Sequence, residues 1–256
     1  MKVATFITAR LKSTRLPKKV LKPIQGRPML SHMIERLRLA RRPQQIVLCT
    51  STVTQDDPLA ELAEAEGIAL FRGHPDDVLL RLAEAARAFD VDVVASCTAD
   101  CPFVDPIYLD RLVNFHIGHG YDYSNTAGLP FGAFAYALSR PAIERACALK
   151  DETDTEVWGG YFTQSGAFRT GTLAIDDPAI SRPALRLTVD EAADFELVSR
   201  IFEALYQPGR VFSLEEIVAL CDRQPTIAAI NAAVRQKPAP PIRLKADRVR
   251  ATAIGG

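Results

Sequence analysis

Five cations fall within ten residues, Arg10, Lys12, Arg15, Lys18 and Lys19, in the stretch ARLKSTRLPKKVL from Ala9 to Leu21. The cluster follows at once on the apolar run Val3 to Thr8, and an α/β sheet opens its ligand crevice at the carboxyl ends of its strands. A cationic loop placed there suits a triphosphate, because guanidinium and ammonium groups neutralise the phosphate oxygens and stabilise charge growing on departing pyrophosphate. Charge alone is equally satisfied by a solvated basic loop. The pattern GxxxxGK[ST] is absent, so this is not a P-loop. A second candidate is Asp100, in SCTADCPFVDP after the run Val91 to Cys97. A carboxylate at a strand's end can hold a hard cation such as Mg²⁺ against phosphate oxygens, or it can simply cap a turn. Asp105 before Pro106 reads as a helix N-cap.

The elements that must position these groups alternate between short apolar runs and helical patterns, which predicts a parallel sheet covered on both faces. After Val3 to Thr8, a helix from Pro28 sets Met29, Met33, Ile34 and Leu37 on one stripe. A strand at Ile46 to Thr50 follows, and Asp57 with Pro58 starts the next helix. A short strand at Ala69 to Phe71 precedes a helix carrying Val78, Leu82, Ala85, Ala86 and Phe89 on one face. Val91 to Cys97 is β-branched enough for a central strand. From Gly118 to Tyr136 the rhythm gives way to Gly- and aromatic-rich sequence, and residues 118–185 are expected to form a smaller lobe on the acceptor side. Beyond it come a strand at Ala184 to Leu187, a helix through Phe195, Val198, Ile201, Phe202 and Leu205, and a capping box at Ser213 and Glu216 that opens one more.

Arg10, Ser13, Thr14, Arg15, Leu16, Pro17 and Lys19 spell R-x-x-S-T-R-L-P-x-K. This loop resembles the signature of the cytidylyltransferase family that includes CMP-Kdo synthetase, acylneuraminate cytidylyltransferase and the spore coat polysaccharide biosynthesis protein F group. The resemblance implies a Rossmann-like, glycosyltransferase-A-like α/β fold: a mixed, mostly parallel sheet with helices on both faces and a small acceptor and dimerisation lobe. It implies transfer of CMP from CTP to a sugar, sugar acid or sugar phosphate with release of pyrophosphate, in surface polysaccharide or glycoconjugate precursor synthesis. By it, Arg10 and Lys19 are the main phosphate contacts, supported by Ser13 and Arg15, with Ala9, Leu11 and Thr98 also at the nucleotide. Asp100 matches the metal-binding aspartate of G-D-C-P-x-x-D-P, with Ala99 in the glycine's place. RLTVDEAAD, from Arg186 to Asp194, is similar to the group's R-x-T-V-D-x-x-x-D and makes Asp190 the second ligand of Mg²⁺, although Asp190 also stands where a helix N-cap belongs. FRGHPDDVLLR matches F-R-G-x-x-x-D-V-L-x-R and brings Asp77 and Arg81 to the nucleotide; read locally, they are a cap and a solvated helix residue. Asn125 and Thr126, in YSNT, together with Arg186, are the implied acceptor contacts. The likeness thins at LPFGAFAYALS, where an acidic position of the family is apolar. It thins again at DETDTEVWGGYF, whose Asp151, Glu152, Asp154 and Glu156 form an acidic cluster. Such a cluster usually solvates a helix start; a functional one would favour a neutral or hydroxyl-rich acceptor.

The chain has 256 residues, 48% of them hydrophobic, and its 31 Lys and Arg balance 31 Asp and Glu. That length fits one elaborate domain, here residues 1–236, with 237–256 a flexible tail of prolines and basic residues. Balanced charge points away from nucleic acid, and no apolar stretch is long enough to suggest a membrane span. Five scattered cysteines read as reduced thiols of a cytoplasmic protein. His116 and His119, three residues apart at a helix end, are better explained as surface residues than as a metal face. The resemblance implies CTP, a small sugar-like acceptor and a second copy of the chain as partners, with Tyr121 to Tyr136 as a candidate interface. Two other readings stay open: a glycosyltransferase of related fold that consumes a nucleotide sugar, and a nucleotide-binding module without turnover.

Overall fold

All six residues of Val3–Thr8 are buried, and alternate side chains enter opposite cores: Val3 and Ile7 one, Ala4 and Phe6 the other. That is what a strand covered on both faces requires. In the computed structural model, which describes residues 1–245, this strand is β1 (Val3–Thr8). It is followed by the two-residue pair β2 (Pro23–Ile24) and β3 (Arg27–Pro28), then β4 (Gln45–Ser51), β5 (Ala69–Gly73), β6 (Val93–Thr98), β7 (Tyr123–Ala127), β8 (Tyr136–Ser139) and β9 (Thr170–Ala174). Seven of these form one sheet in the order β5-β4-β1-β6-β8-β7-β9. The pairs β1–β4, β1–β6, β4–β5 and β7–β9 are parallel, whereas β8 runs antiparallel to both its neighbours.

One face carries α1 (Met29–Leu37), α2 (Asp57–Ala65), α4 (Pro106–His119), α7 (Ala192–Leu205), α8 (Leu214–Arg223) and α9 (Pro225–Ala229). The other carries α3 (Val78–Ala88), α5 (Arg140–Leu149) and α6 (Gly159–Thr163). Local chemistry starts several of these helices. Asp105 accepts from the amides of Ile107 and Tyr108 ahead of α4, and Ser213 with Glu216 closes the expected capping box of α8. The chain after β1 turns to β4 and β5 on one side and later returns to β6 on the other. The sheet therefore reverses direction of growth between β1 and β6, and there the crevice opens. The register pairs Thr8 with Thr98, so the loops leaving β1 and β6 start side by side.

Four sequence expectations are corrected. The region expected as a smaller lobe extends the main sheet through β7, β8 and β9, and its aromatics are spent internally: Tyr123 stacks on Phe162 at 5.4 Å, and Tyr136 meets Trp158 edge-on at 5.3 Å. Ala184 to Leu187 is not a strand; it forms an isolated parallel bridge between Arg186 and Phe131, outside the sheet. The N-cap position of α2 is Asp56, not Asp57, which pairs instead with Arg72. Part of the expected tail is docked, because Ile242 and Leu244 pack on the α3, α5 and α6 core and Leu244 bridges to Lys150. Residues 246–256 of that tail lie outside the described residues. No helix among the described residues is long and apolar enough to cross a membrane.

His116 does not stand at the surface. It is buried in α4, its Nδ1 hydrogen-bonded with Ser124 Oγ at 3.0 Å and its Nε2 without a partner among the described residues. Burial pushes its pKa down to about 4, against only a weak opposing pull from Asp122. The unfolded chain therefore binds a proton near pH 6.5 that the folded chain refuses until about pH 4, so stability falls as the pH drops through that window. Replacing His116 by Gln should flatten the acid side of a pH–stability curve by about 1 kcal/mol per pH unit between pH 6 and 4.5. Denaturant melts across that range check it, and identical slopes in both proteins would count against the buried neutral imidazole.

Candidate active site

The loop after β1 has no regular structure until a 3-10 turn at Lys19–Leu21, so apolar residues must hold it. Leu11, Leu16 and Val20 are sunk into the core beside the crevice, which turns the intervening polar and charged side chains outward. Leu11 contributes through its backbone, its amide donating to Asp56 Oδ1 at 2.7 Å. Asp56 is fully buried, accepts also from Ser51 Oγ, and lies 3.4 Å from Arg10 Nε, so it fixes the first turn of the loop and its first arginine together.

The second wall is the turn after β6. Thr98 Oγ1 donates to Asp100, and the Ala99 amide donates to the Thr8 carbonyl at 3.0 Å. The third wall is the segment before α7. The Val189 amide donates to the Asp100 carbonyl at 2.8 Å, which draws Asp190 up beside Asp100. Gly132 permits this approach: its φ is +96°, and a Cβ there would come within 2.6 Å of the Thr188 nitrogen. Asp190 does not cap α7. Glu191 does, in a capping box with Asp194, and this frees the Asp190 carboxylate for the crevice.

Between the walls lies a cavity of about 430 Å³, lined by Ala9, Arg10, Lys12, Ser13, Thr14, Arg15, Lys19, Arg81, Thr98, Asp100 and Asp190 among others. At its floor the Lys19 ammonium stands 2.8 Å from Asp100, 3.0 Å from Asp190 and 2.6 Å from the Val189 carbonyl. Burial by itself would lower the Lys19 pKa, but the two carboxylates outweigh it and hold it above the ordinary lysine value. Asp190 is held below the usual carboxylate range for the converse reason: burial would raise it, and Lys19, Arg186 and Arg15 prevail. Arg15 reaches Glu191 at 3.2 Å and Asp190 at 3.5 Å. Arg10 donates to the Pro75 carbonyl and to Asp76 at 2.9 Å, and Lys12 lies 3.2 Å from Asp76 and 3.3 Å from Glu156.

Of the residues expected at the site, Ala9, Arg10, Ser13, Arg15, Lys19, Arg81, Thr98, Asp100 and Asp190 line this cavity. Leu11, Asp77, Asn125, Thr126 and Arg186 do not. Asp77 is buried as the N-cap of α3, accepting from the Leu80 amide and from Thr155, and paired with Lys150. Arg81 is buried too, and it donates to the carbonyls of His74 and Pro75, which shapes the cavity wall. Asn125 accepts from Thr172 on the neighbouring strand, outside the cavity. Arg186 works from behind, bonding Asp190 at 2.8 Å and Asp194 at 2.9 Å with its guanidinium over the Phe131 ring. His119 bonds its own helix and shares no site with His116. Sequence reading overlooked Asp56, Asp76 and Lys237, and named Glu156 only as part of an acidic cluster, whereas Glu156 also lines the cavity. Only Asp76, beside the cap residue Asp77, carried a local signal.

A parallel-rich sheet of this order, with a cationic loop and two converging carboxylates at its switch point, defines a nucleotidyltransferase of Rossmann-like fold. Residues 4–162 match the cytidylyltransferase family model, and the chain belongs to that family. It is 30% identical over 230 residues to the spore coat polysaccharide biosynthesis protein SpsF of Bacillus subtilis, covering 87% of this chain and 95% of that one. It is 30% identical over 167 residues to a 3-deoxy-manno-octulosonate cytidylyltransferase of Anaeromyxobacter sp., covering 64% of this chain and 63% of that protein. A solved cytidylyltransferase from Leptospira borgpetersenii has the same fold, with a TM-score of 0.81 at 22% identity over 94% of this chain and 100% of that one.

The placement of Asp77 has a measurable consequence. Asp77→Asn should cost about 2–4 kcal/mol of stability, because it strands the buried Lys150 charge, while the folded variant keeps its CTP affinity within about threefold. Thermal melts and titration calorimetry report the two effects. A loss of CTP binding without a loss of stability would return Asp77 to the nucleotide.

Proposed function

We propose that this cytidylyltransferase transfers CMP from CTP to a hydroxyl or phosphate oxygen of a sugar, sugar acid or sugar phosphate, with Mg²⁺ as the metal ion. The observation that carries the reading is the convergence of Asp100, Asp190 and the Val189 carbonyl on one cation, the Lys19 ammonium, at the foot of a loop rich in further cations. Three oxygen donors gathered round a point of positive charge suit a hard divalent ion, so the residues fit the metal, with Asp100 and Asp190 holding it. When bound, Mg²⁺ would supply Lewis acidity to the phosphate oxygens and lower the pKa of an acceptor hydroxyl.

The chain's own residues do the rest. Arg10, Arg15 and Lys19 exchange their carboxylate partners for β- and γ-phosphate oxygens, and Ser13 adds a hydroxyl donor. Held in this way, the α-phosphorus faces the acceptor oxygen for in-line attack. A bond forms from that oxygen to the α-phosphorus while a hydroxyl acceptor gives up its proton to solvent, the bond to the bridging oxygen breaks, and pyrophosphate leaves with its charge stabilised by the same cations. The names of the polysaccharide and octulosonate relatives support a sugar-like acceptor and a role in surface glycan precursors. Five free thiols support a cytoplasmic setting, and the outer edge of β9 offers a place for a second copy in a homodimer.

The test is pyrophosphate release from CTP and Mg²⁺ against 2-keto sugar acids, sugar phosphates and polyol phosphates. Asp100→Asn should lower turnover at least about 100-fold with the melting temperature nearly unchanged. Turnover close to that of the wild type would remove Asp100 from the chemistry.

A further inference from the structure

The segment set aside by composition as a tail enters the lining of the active-site cavity at Lys237. It leaves α9 and is pinned by Gln236, whose Oε1 accepts from Arg186 Nη1 at 2.7 Å. Lys237 then lines the nucleotide cavity. The run Pro238-Ala239-Pro240-Pro241 carries the chain to a second anchorage. There Ile242 fits over Gly160, where a Cβ would come within 2.8 Å of it, and the Asp151 amide donates to the Arg243 carbonyl at 2.9 Å. The Lys245 amide donates to the Leu149 carbonyl at 3.0 Å. Three prolines between two anchors have few conformations to lose, so the strap is held in place at small entropic cost.

Charge pairing singles out the residue it delivers. Arg10, Lys12, Arg15 and Lys19 each stand within 4 Å of a carboxylate. Arg81 is committed to two backbone carbonyls. Lys237 is the cavity-lining cation with no such partner among the described residues. An incoming polyanion must break ion pairs to engage the others but meets Lys237 without that cost. Gln236 is bonded to Arg186 and Arg186 to Asp190, so the neighbouring Lys237 joins the cavity lining from the Asp190 side.

We propose that the C-terminal strap, residues 236–245, is part of the nucleotide site and that Lys237 binds the pyrophosphate portion of the triphosphate. This rests on the reading of the cavity as the CTP site. Lys237 is thus a specificity residue for triphosphate over monophosphate, and the strap's docking on α6 and Lys150 governs its reach.

Titration calorimetry with CTP, CMP and inorganic pyrophosphate, each with MgCl₂, tests it on the full chain. Lys237→Ala should weaken CTP and pyrophosphate about fivefold and leave CMP unchanged, Lys237→Arg should restore most of the loss, and the difference should shrink as salt rises. Ile242→Asp, which unseats the strap without touching Lys237, should reproduce the loss and open the 236–245 segment to protease. Unchanged CTP and pyrophosphate binding in Lys237→Ala overturns the proposal, as does an equal loss of CMP. So does an effect confined to the acceptor's KM in the pyrophosphate-release assay. Wild-type protein that binds pyrophosphate through Lys237 but not CTP would leave the strap assignment standing and sink the cytidylyl-transfer reading instead.

Discussion

Two carboxylates and a polyanion cannot share a crevice without positive charge between them, and in this fold Lys19 supplies it. Its ammonium is the point at which the loop after β1, the turn after β6 and the segment before α7 meet. Each wall has its own reason to be there: buried leucines and Val20 for the first, strand register for the second, and the close approach at Gly132 for the third. Lys19 nevertheless sets their mutual distance, because Asp100 and Asp190 repel one another once that charge is withdrawn.

The site is therefore best understood as a set of exchangeable ion pairs. Asp76, Glu156 and Glu191 occupy the cations of the loop much as phosphate oxygens would. Such pairing keeps the loop ordered when it would otherwise expel itself by self-repulsion, and it offsets part of the gain on binding any anion. Only a ligand bringing several charges in the right spacing recovers the full set, which is a physical basis for discriminating triphosphates from the simple anions of the cell.

Much of this was legible in the sequence because it rests on local rules. The apolar runs of the first hundred residues located β1, β4, β5 and β6 to within two residues, caps at Asp105 and Ser213 were readable from spacing, and the R-x-x-S-T-R-L-P-x-K loop led to Arg10, Arg15 and Lys19. What stayed hidden depends on distance along the chain. Local spacing marks Asp77 as the cap of α3, but it does not show the ion pair with Lys150, 73 residues away, that takes Asp77 out of the cavity which Asp76 faces. Arg186 lies in the right motif but one layer back, because the stretch around it is tied to Phe131 rather than extended as a strand. The proline-rich segment after Gln236 looked like a tail because composition registers the prolines and not the apolar Ile242 and Leu244 that dock it.

The three walls also set an order of events in synthesis. Lys19 waits for Asp100, 81 residues later, and for Asp190, 171 residues later. At about 5–20 residues per second, a ribosome delivers the loop after β1 well before the residues that complete the pocket. A growing chain holds Arg15 and Lys19 before Asp100, Asp190 and Glu191 exist to pair with them, while Arg10 and Lys12 gain Asp56 and Asp76 sooner. Leu11, Leu16 and Val20 share a core with the α1 residues Met29, Leu30, Met33 and Ile34, which follow them closely in the chain, so the apolar hold on the loop needs far less of the chain than its electrostatic partners do.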